Sequence, residues 1–225
     1  ADLAILCAVA TSLATICVTS VSSVRSHHKK KAVDWVLLKK WLPFIVFGVI
    51  SGTILANFLN AGVLTLIFAV VAFSVSLKIL FAKSHFIIKD GLPGQPLEFI
   101  FGWVVGFLSS MIGIGGASIS IPILTAYNYP MARAVATSVG IGTIVSVSGT
   151  TGFILSGLDQ TELPPFSIGY VNFLAFRLIV PLSFSFAPLG ARIAHKIDPI
   201  LLKKIFAVLL FITSIKMFIS SWVEF

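Results

Sequence analysis

The sequence is poor in acidic residues and has almost no cysteine. Of its 225 residues, eight are Asp or Glu and two are Cys. The carboxylates all fall in loops or at the ends of apolar segments, so a buried carboxylate relay for protons is not expected. Cys7 and Cys17 lie in one apolar segment, which argues against a disulfide framework and a four-ligand metal site. We therefore expect no metal and no other cofactor.

The motifs of common enzymes are also missing. The sequence contains no HExxH zinc motif, no GxSxG nucleophile motif and no phosphate-binding loop with its lysine. We therefore expect neither an enzyme nor an ATP-driven pump.

Apolar residues, in contrast, dominate the composition. Hydrophobic residues make up 57% of the chain, charged residues make up 11%, and the mean hydropathy is +1.05. This composition predicts an integral membrane protein, whose main partner is the lipid bilayer. The net charge of +8 does not indicate nucleic-acid binding, because the basic residues cluster at the ends of apolar segments.

Seven apolar segments follow one another along the chain. Each unbroken segment is long enough to cross a bilayer, for which about 20 helical residues are needed. A basic stretch, Arg25–Lys40, separates the first two segments, and the positive-inside rule places it in the cytoplasm of a multi-pass membrane protein. The segments cover residues 3–24, 41–60, 62–81, 99–127, 134–155, 168–190 and 201–223.

The fourth segment is interrupted by glycine and proline. Gly113, Gly115, Gly116 and Pro122 lie within a stretch that is otherwise apolar. Glycine costs about 1 kcal/mol and proline about 3 kcal/mol in a helix relative to alanine, so we expect a helix, a bend and a second short helix. The N–H groups at the start of the second helix could bind an anion. The alternative is that the glycines only let helices pack closely.

The sequence also contains an internal duplication. Residues 9–12 (Val-Ala-Thr-Ser) recur 126 positions later, and residues 67–70 (Ile-Phe-Ala-Val) recur 138 positions later. We therefore divide the chain into a first repeat (1–82), a cytoplasmic linker (83–98) and a second repeat (99–225). The copy of segment 99–127 would precede Ala1, so about 28 further N-terminal residues are expected.

The two repeats could run parallel or inverted across the membrane. If segment 99–127 crosses once, the repeats are parallel, with eight basic loop residues inside and five outside. If it is a re-entrant hairpin, the repeats are inverted, each with about three spanning helices, and the count becomes thirteen inside and none outside. We therefore predict an all-α membrane protein of inverted repeats, although Arg177 and Lys216 would then lie toward the outer side.

Hydroxyl and small side chains follow one face of two predicted helices. Thr11 begins a stripe at helical spacing in the first segment, and Ser138 begins a similar one in the fifth. These stripes could line a pathway or could serve only helix packing. Because fixed negative charge is absent beside them, an anionic cargo is favoured over a cationic one. Arg177 could meet the anion from the outer side or could be an interfacial arginine.

Several of these motifs together carry a resemblance to a known family. They are Gly113-Ile114-Gly115-Gly116 followed by Ile121-Pro122-Ile123-Leu124, the paired Ala-Thr-Ser segments, residues 19–23 leading to His27 and His28, and Val33-Asp34-Trp35. Their order and duplication resemble the sulfite exporter TauE/SafE family of membrane transporters. The resemblance covers nearly the whole chain and implies a permease for anions such as sulfite or organosulfonates.

The resulting hypothesis is a permease that moves a small anion by alternating access. A non-transporting scaffold or accessory subunit, or an anion channel, is the alternative. The direction of transport, the coupling ion and the oligomeric state are not specified by the sequence. The expected substrate-binding residues are Gly113, Gly115, Gly116, Ala117, Ser118, Thr11, Ser12, Thr137, Ser138 and Arg177.

Overall fold

The protein is an assembly of α-helices with one small β-hairpin. The structure, a computed structural model, describes residues 2–81, 90–194 and 197–224. The elements in chain order are α1 (Asp2–His28), α2 (Trp35–Ala56), α3 (Ala61–Phe81), α4 (Leu97–Ile112), α5 (Ala117–Ala126), α6 (Met131–Ser156), β1 (Ser167–Ile168), β2 (Val171–Asn172), α7 (Phe173–Ala194) and α8 (Pro199–Glu224).

The distribution of side chains suits a bilayer. Within the described residues, three helical stretches are long and apolar enough to cross a membrane: Leu3–His28, Trp35–Ala56 and Met131–Ser156. Large apolar side chains such as Phe58 lie exposed on the outside, while hydroxyls such as that of Ser146 are fully buried. Polar groups inside and apolar groups outside are what lipid requires. The expectation of an all-α membrane protein is therefore confirmed.

The predicted break in the fourth apolar segment is present. Helix α4 ends at Ile112 and α5 begins at Ala117. Gly113, Gly115 and Gly116 between them have φ of +77°, +71° and +80°, a left-handed conformation that glycine adopts without steric cost. Pro122, which was expected to contribute to the break, lies inside α5 instead. The three glycines therefore make the bend.

Helices α2 and α4 pack with their backbones unusually close. A Cβ at Gly48 would lie 2.2 Å from the carbonyl oxygen of Trp103, and one at Gly106 would lie 2.2 Å from that of Ile45. Gly52 meets α4 one turn further along, at Phe107, so the two helices run in the same direction. Each helix carries a Gly-x-x-x-Gly pair, the arrangement that lets membrane helices approach closely.

The two outer ends of the broken segment lie at the same end of the helix assembly. Near the start of α4, Glu98 forms an ion pair with Lys40, near the start of α2, at 2.5 Å. Just after α5, Tyr129 donates a hydrogen bond to Asp34, the residue that caps the start of α2. The start of α4 and the end of α5 are therefore both beside the start of α2.

The helix packing has an internal correspondence. Helix α1 packs on α6 and α3 packs on α8, while the contact of α2 with α6 is matched by that of α7 with α1. Exchanging α1 with α6, α2 with α7 and α3 with α8 leaves this set of contacts unchanged. Phe73 and Phe211, which are 138 positions apart, stack on each other with ring centroids 5.7 Å apart. The duplicated sequence thus places equivalent residues in contact.

Two helix starts differ from those expected. Residues 167–172, expected to belong partly to a helix starting at 168, form a β-hairpin in which Ser167 pairs with Asn172. Asn172 then caps α7 by accepting a hydrogen bond from the N–H of Ala175 at 2.9 Å. Helix α2 starts at Trp35 rather than 41, because Asp34 caps it. Of the expected linker 83–98, residues 83–89 lie outside the described residues, and α4 begins within the rest.

Candidate functional site

The glycine break lies in the interior, between three long helices. A Cβ at Gly113 would lie 3.2 Å from the backbone of Val9 in α1, and one at Gly115 would lie 3.0 Å from the side chain of Ile16 in the same helix. A Cβ at Gly142 of α6 would lie 2.4 Å from the carbonyl oxygen of Gly115. The break is therefore enclosed by α1 and α6, with α4 leading into it.

The break leaves backbone donors without acceptors. Within the described part of the chain, the N–H groups of Gly115, Gly116 and Ser118 form no hydrogen bond, and all three residues are buried. The N–H of Ser120, by comparison, bonds to the carbonyl of Gly116 at 2.9 Å. Buried N–H groups are nearly always paired, and here they coincide with the positive end of a helix dipole. This arrangement is suited to binding an anion.

A serine that the sequence argument did not single out lies beside these donors. The hydroxyl of Ser109 is 1% exposed and has no hydrogen-bond partner among the described residues. Ser109 and Ser118 both line a small cavity of about 10 Å³. That is room for about one water. The other walls are apolar: Val71, Ala72, Ile112, Ile114, Ile119 and Leu210.

Two of the expected serines contact the broken segment directly. Ser12 of α1 donates to the carbonyl of Gly113 at 2.9 Å. Ser138 of α6 accepts a hydrogen bond from Ser120, in the first turn of α5, at 2.8 Å. The duplicated Ala-Thr-Ser segments thus bring one serine to each side of the break. Ser120 was not anticipated, although it lies two residues after Ser118.

The two expected threonines have a different position. Thr137 accepts a hydrogen bond from the N–H of Asp34 at 3.1 Å, and Thr11 accepts one from the N–H of Asn172 at 3.0 Å. Both hydroxyls therefore contact the residue that caps a helix of the other repeat. Further along the stripe of α1, Thr15 and Thr19 donate to carbonyls of their own helix, as hydroxyls in packed membrane helices commonly do.

Two expected residues remain: Ala117 lies at the break, and Arg177 lies much later in the sequence. Ala117 is the first residue of α5. Arg177 lies in the second turn of α7 with an exposed side chain, and it forms no ion pair with the described residues. Its role thus remains a prediction.

A charged cluster surrounds the start of α2. One carboxylate oxygen of Asp34 accepts from the N–H groups of Val36 and Leu37, and the other accepts from Tyr129 and, at 3.2 Å, from Arg133. The guanidinium of Arg133 also lies 5.5 Å from the centre of the Tyr129 ring. The partners of Asp34 come from sequence almost 100 positions away, which a search for local motifs does not detect.

This cluster holds the Asp34 carboxylate ionised. Burial raises the pKa of Asp34, but the hydrogen bonds from Tyr129 and Leu37 and the charge of Arg133 outweigh burial and lower it overall. Burial and the hydrogen bond to Asp34 raise the pKa of Tyr129 to about 12. Both residues lie in loops between helices, Asp34 before α2 and Tyr129 after α5. Asp34 is therefore negatively charged and Tyr129 neutral at physiological pH.

The family model for sulfite exporter TauE/SafE matches residues 3–217. The chain belongs to the sulfite exporter TauE/SafE family. A probable membrane transporter protein of Methanocaldococcus jannaschii is 35% identical over 196 residues, which cover 85% of this chain and 71% of that protein. One of Haemophilus influenzae is 31% identical over 215 residues, covering 95% and 81%. No solved structure matches the chain at a significant level.

Membership of the TauE/SafE family confirms the resemblance drawn from the motifs. The relatives are named as membrane transporters, and the apolar helices described above make this chain a multi-pass membrane protein. A transporter family is also in keeping with the absence of enzyme motifs from the sequence.

Proposed function

We propose that this TauE/SafE protein is a permease that moves small anions, of the sulfite or organosulfonate type, across the cell (inner) membrane. The observation that carries the proposal is the set of buried N–H groups at Gly115, Gly116 and Ser118, which have no acceptor within the described residues. An anion held there would be bound by backbone dipoles without a lysine or arginine. The binding would leave the anion free to depart, because no opposite formal charge holds it.

The buried hydroxyl of Ser109 adds a fourth donor to this set. Ser109 and Ser118 line the same cavity, and the Ser109 hydroxyl has no partner in the described residues. We assign the anion to the N-terminal end of α5, with Ser109 as a further ligand. The other residues expected from the sequence line or brace the route to this position: Gly113, Ala117, Thr11, Ser12, Thr137, Ser138 and Arg177.

The placement of charge supports an anionic cargo. Among the described residues, Glu98 in α4 and Asp34, which binds Tyr129 after α5, each have a cationic partner at the end where α2 begins, and Asp90 contacts Asn128 after α5. No carboxylate of the described residues forms a hydrogen bond or an ion pair with the glycine break, residues 113–116. A cation would find backbone N–H groups facing it and would be repelled.

The helix arrangement supports inverted repeats. Asp34 follows α1 directly, whereas its counterpart Asn172, 138 positions later, contacts Thr11 near the other end of α1. Thr11 precedes His28 by 17 residues, or about 25 Å along a helix. Equivalent helices α2 and α7 thus begin at well-separated levels of α1. With Arg25–Lys40 in the cytoplasm, the separation between the starts of α2 and α7 favours oppositely oriented repeats. The start of α4 and the end of α5 lie at the same end of the helix assembly, which favours a re-entrant hairpin for segment 99–127.

Inverted repeats suggest the mechanism of alternating access. In such transporters one structural unit rocks against the other around a site near the middle of the membrane. Here the α1–α6 and α3–α8 contacts, each between equivalent helices, provide the surfaces about which the repeats could rock. The proposed anion site lies between α1 and α6. An anion would reach it from one side of the membrane in one orientation of the repeats and from the other side in the other orientation.

The proposal is tested by flux into proteoliposomes with a panel of sulfite, sulfate, organosulfonates and carboxylates. Ser109→Ala is expected to raise KM about tenfold, because a hydrogen bond to a charged group is lost. Ser110→Ala is the matched control, since that neighbouring buried hydroxyl donates to the carbonyl of Phe107 in its own helix. It should leave KM unchanged.

The outcome of the flux measurement separates the alternatives. Saturable flux with counterflow supports a carrier, whereas flux without saturation indicates an anion channel. A correctly inserted protein that moves none of these anions would indicate a scaffold or accessory subunit and would refute the proposal. Equal KM values for wild type and Ser109→Ala would refute the assigned site.

A further inference from the structure

Two contacts between the repeats occupy equivalent positions in the duplicated sequence. Asp34 and Asn172 are 138 positions apart, and Thr11 and Thr137 are 126 positions apart, which are the two offsets of the duplication. The N–H of Asp34 bonds to the Thr137 hydroxyl, and the N–H of Asn172 bonds to the Thr11 hydroxyl, at 3.1 and 3.0 Å. Each repeat therefore holds the cap of a helix from the other repeat. We name these contacts the Asp34 junction and the Asn172 junction.

The two junctions lie at different levels of the α1–α6 pair. The Asp34 junction joins the loop after α1 to the second turn of α6. The Asn172 junction joins the start of α7 to the N-terminal half of α1, and Tyr170 beside it donates to the carbonyl of Phe153 near the end of α6. One junction is thus near the start of α6 and the other is near its end. A rocking motion that opens one of them would not open the other.

The junctions differ in charge. The side chain of Asp34 reaches across to Arg133 and Tyr129 of the second repeat. The side chain of Asn172 instead donates to Pro165 and Ser167 of its own loop, at 3.1 and 3.2 Å.

No such charged pair is available at the Asn172 junction. The positions that precede Tyr129 and Arg133 by 126 residues are Leu3 and Cys7, which offer neither a phenol nor a guanidinium. Hydrogen bonds between ionised groups are about twice as strong as neutral ones. The Asp34 junction is therefore the stronger of the two contacts.

We propose that the two junctions are the contacts that open in turn during transport, and that the charged Asp34 junction biases the protein toward the state in which its own side is closed. This inference rests on the proposed function, because it assigns the residues that set the balance between the two orientations. Asp34, Tyr129 and Arg133 are then positioning residues that do not touch the anion. The structure itself, with both junctions formed, represents a state closed at both.

The proposal is tested by the accessibility of single cysteines, with no anion present. Cys7 and Cys17 are replaced by alanine, and a cysteine is introduced by Ser138→Cys, beside the Asp34 junction, or by Ser12→Cys, beside the Asn172 junction. A membrane-impermeant maleimide is applied to each face of oriented vesicles. Asp34→Asn should raise the rate of labelling at position 138 about tenfold from the Arg25–Lys40 side and lower it at position 12.

Asn172→Asp provides the reciprocal change. A carboxylate at position 172 would face the Pro165 carbonyl, without an arginine or tyrosine partner, and should weaken its own junction. Labelling at position 12 should then rise from the opposite face and fall at position 138. Asp198→Asn is the matched control, because Asp198 accepts hydrogen bonds from the N–H groups of Ile200 and Leu201 at the start of α8, as Asp34 does at the start of α2, and takes part in neither junction. It should change neither rate.

Opposite shifts for Asp34→Asn and Asn172→Asp support the proposal. It is overturned if both variants raise labelling at both positions, which indicates a loosened fold, or if neither variant changes labelling. If the two variants shift labelling in opposite directions but no tested anion is transported, the proposed substrate is refuted and the proposed role of the junctions is supported. Flux with unchanged labelling would refute the junctions alone.

Discussion

Equivalent glycines of the two repeats should respond in opposite ways to alanine. Gly52 in α2 and Gly190 in α7 are 138 positions apart, which is the offset of the duplication. A Cβ at Gly52 would lie 2.6 Å from the backbone carbonyl oxygen of Phe107 and 2.3 Å from the hydroxyl of Ser110. A Cβ at Gly190 would meet none of the described residues within 4 Å. The same substitution therefore forces two helix backbones apart at one site and meets open space at the other.

The magnitude follows from packing and helix propensity. Forcing an extra carbon into a close-packed contact costs about 1–3 kcal/mol. Replacing glycine by alanine inside an unobstructed helix is favourable by up to about 1 kcal/mol. Gly52→Ala should therefore be less stable than wild type and Gly190→Ala slightly more stable. At about 2–4 °C per kcal/mol for a chain of this size, the two variants should differ in Tm by roughly 5 °C or more.

The assay is thermal unfolding of the 225-residue chain in detergent, followed by loss of the monodisperse peak in size-exclusion chromatography. Gly48→Ala, whose Cβ would lie 2.2 Å from the Trp103 carbonyl oxygen, should be at least as destabilising as Gly52→Ala. Equal Tm values for Gly52→Ala and Gly190→Ala would show that α2 and α4 are not in backbone contact. A lower Tm for Gly190→Ala would show that another helix covers that face of α7.

Three further predictions concern the charged contacts at the start of α2. The pKa of Asp34 is lowered, so its contribution to the Asp34 junction is complete above the ordinary carboxyl pKa and is lost as the pH falls through the lower, folded value. The labelling rate of Ser138→Cys, divided at each pH by that of free cysteine to remove the titration of the thiol, should therefore be equal at pH 7 and pH 5 and rise only below about pH 4. A rise of this ratio by pH 5 would contradict the expectation. Tyr129→Phe should lower the Tm by removing a hydrogen bond to a carboxylate, at a cost of about 1–2 kcal/mol, whereas Tyr127→Phe, which removes no hydrogen bond within the described residues, should not. Lys40→Gln should lower the Tm more than Glu98→Gln does. Lys40→Gln leaves the buried carboxylate of Glu98 unpaired, whereas Glu98→Gln leaves only the half-exposed amine of Lys40 unpaired. Thermal unfolding of both variants checks the order.

Features that depend on local sequence could be predicted here. The break at residues 113–116 follows from the backbone freedom of glycine. The duplication can be detected because Ala10, Thr11 and Ser12 recur in the same order. The close contact of α2 with α4 could also have been anticipated, since Gly48 and Gly52 form a Gly-x-x-x-Gly pair.

Features that depend on distant sequence could not be predicted. Ser109 and Ser110 are neighbours in sequence and both are buried, yet within the described residues only the Ser110 hydroxyl has acceptors: the Phe107 carbonyl in its own helix and, at 3.5 Å, the Val49 carbonyl in α2. In the same way, nothing near Asp34 in sequence indicates Tyr129 or Arg133 as its partners. The free donor and the charged cluster arise from tertiary packing, for which a single sequence without homologues gives no signal.

The change of offset within the duplication explains why only one junction is charged. The two offsets, 126 and 138, differ by 12 residues. Ten of these lie between α6 and α7, where 16 residues replace the six that join α1 to α2, and the other two lengthen the end of α6. The longer loop forms the β-hairpin and gives the Asn172 side chain its own local acceptors, Pro165 and Ser167. The carboxylate of Asp34 only accepts hydrogen bonds, and besides the N–H groups of Val36 and Leu37 its donors are Tyr129 and Arg133 of the other repeat. The insertion in one loop, together with Leu3 and Cys7 at the positions equivalent to Tyr129 and Arg133, makes the two junctions unequal. In the proposal above, this inequality gives the protein a preferred side to keep closed.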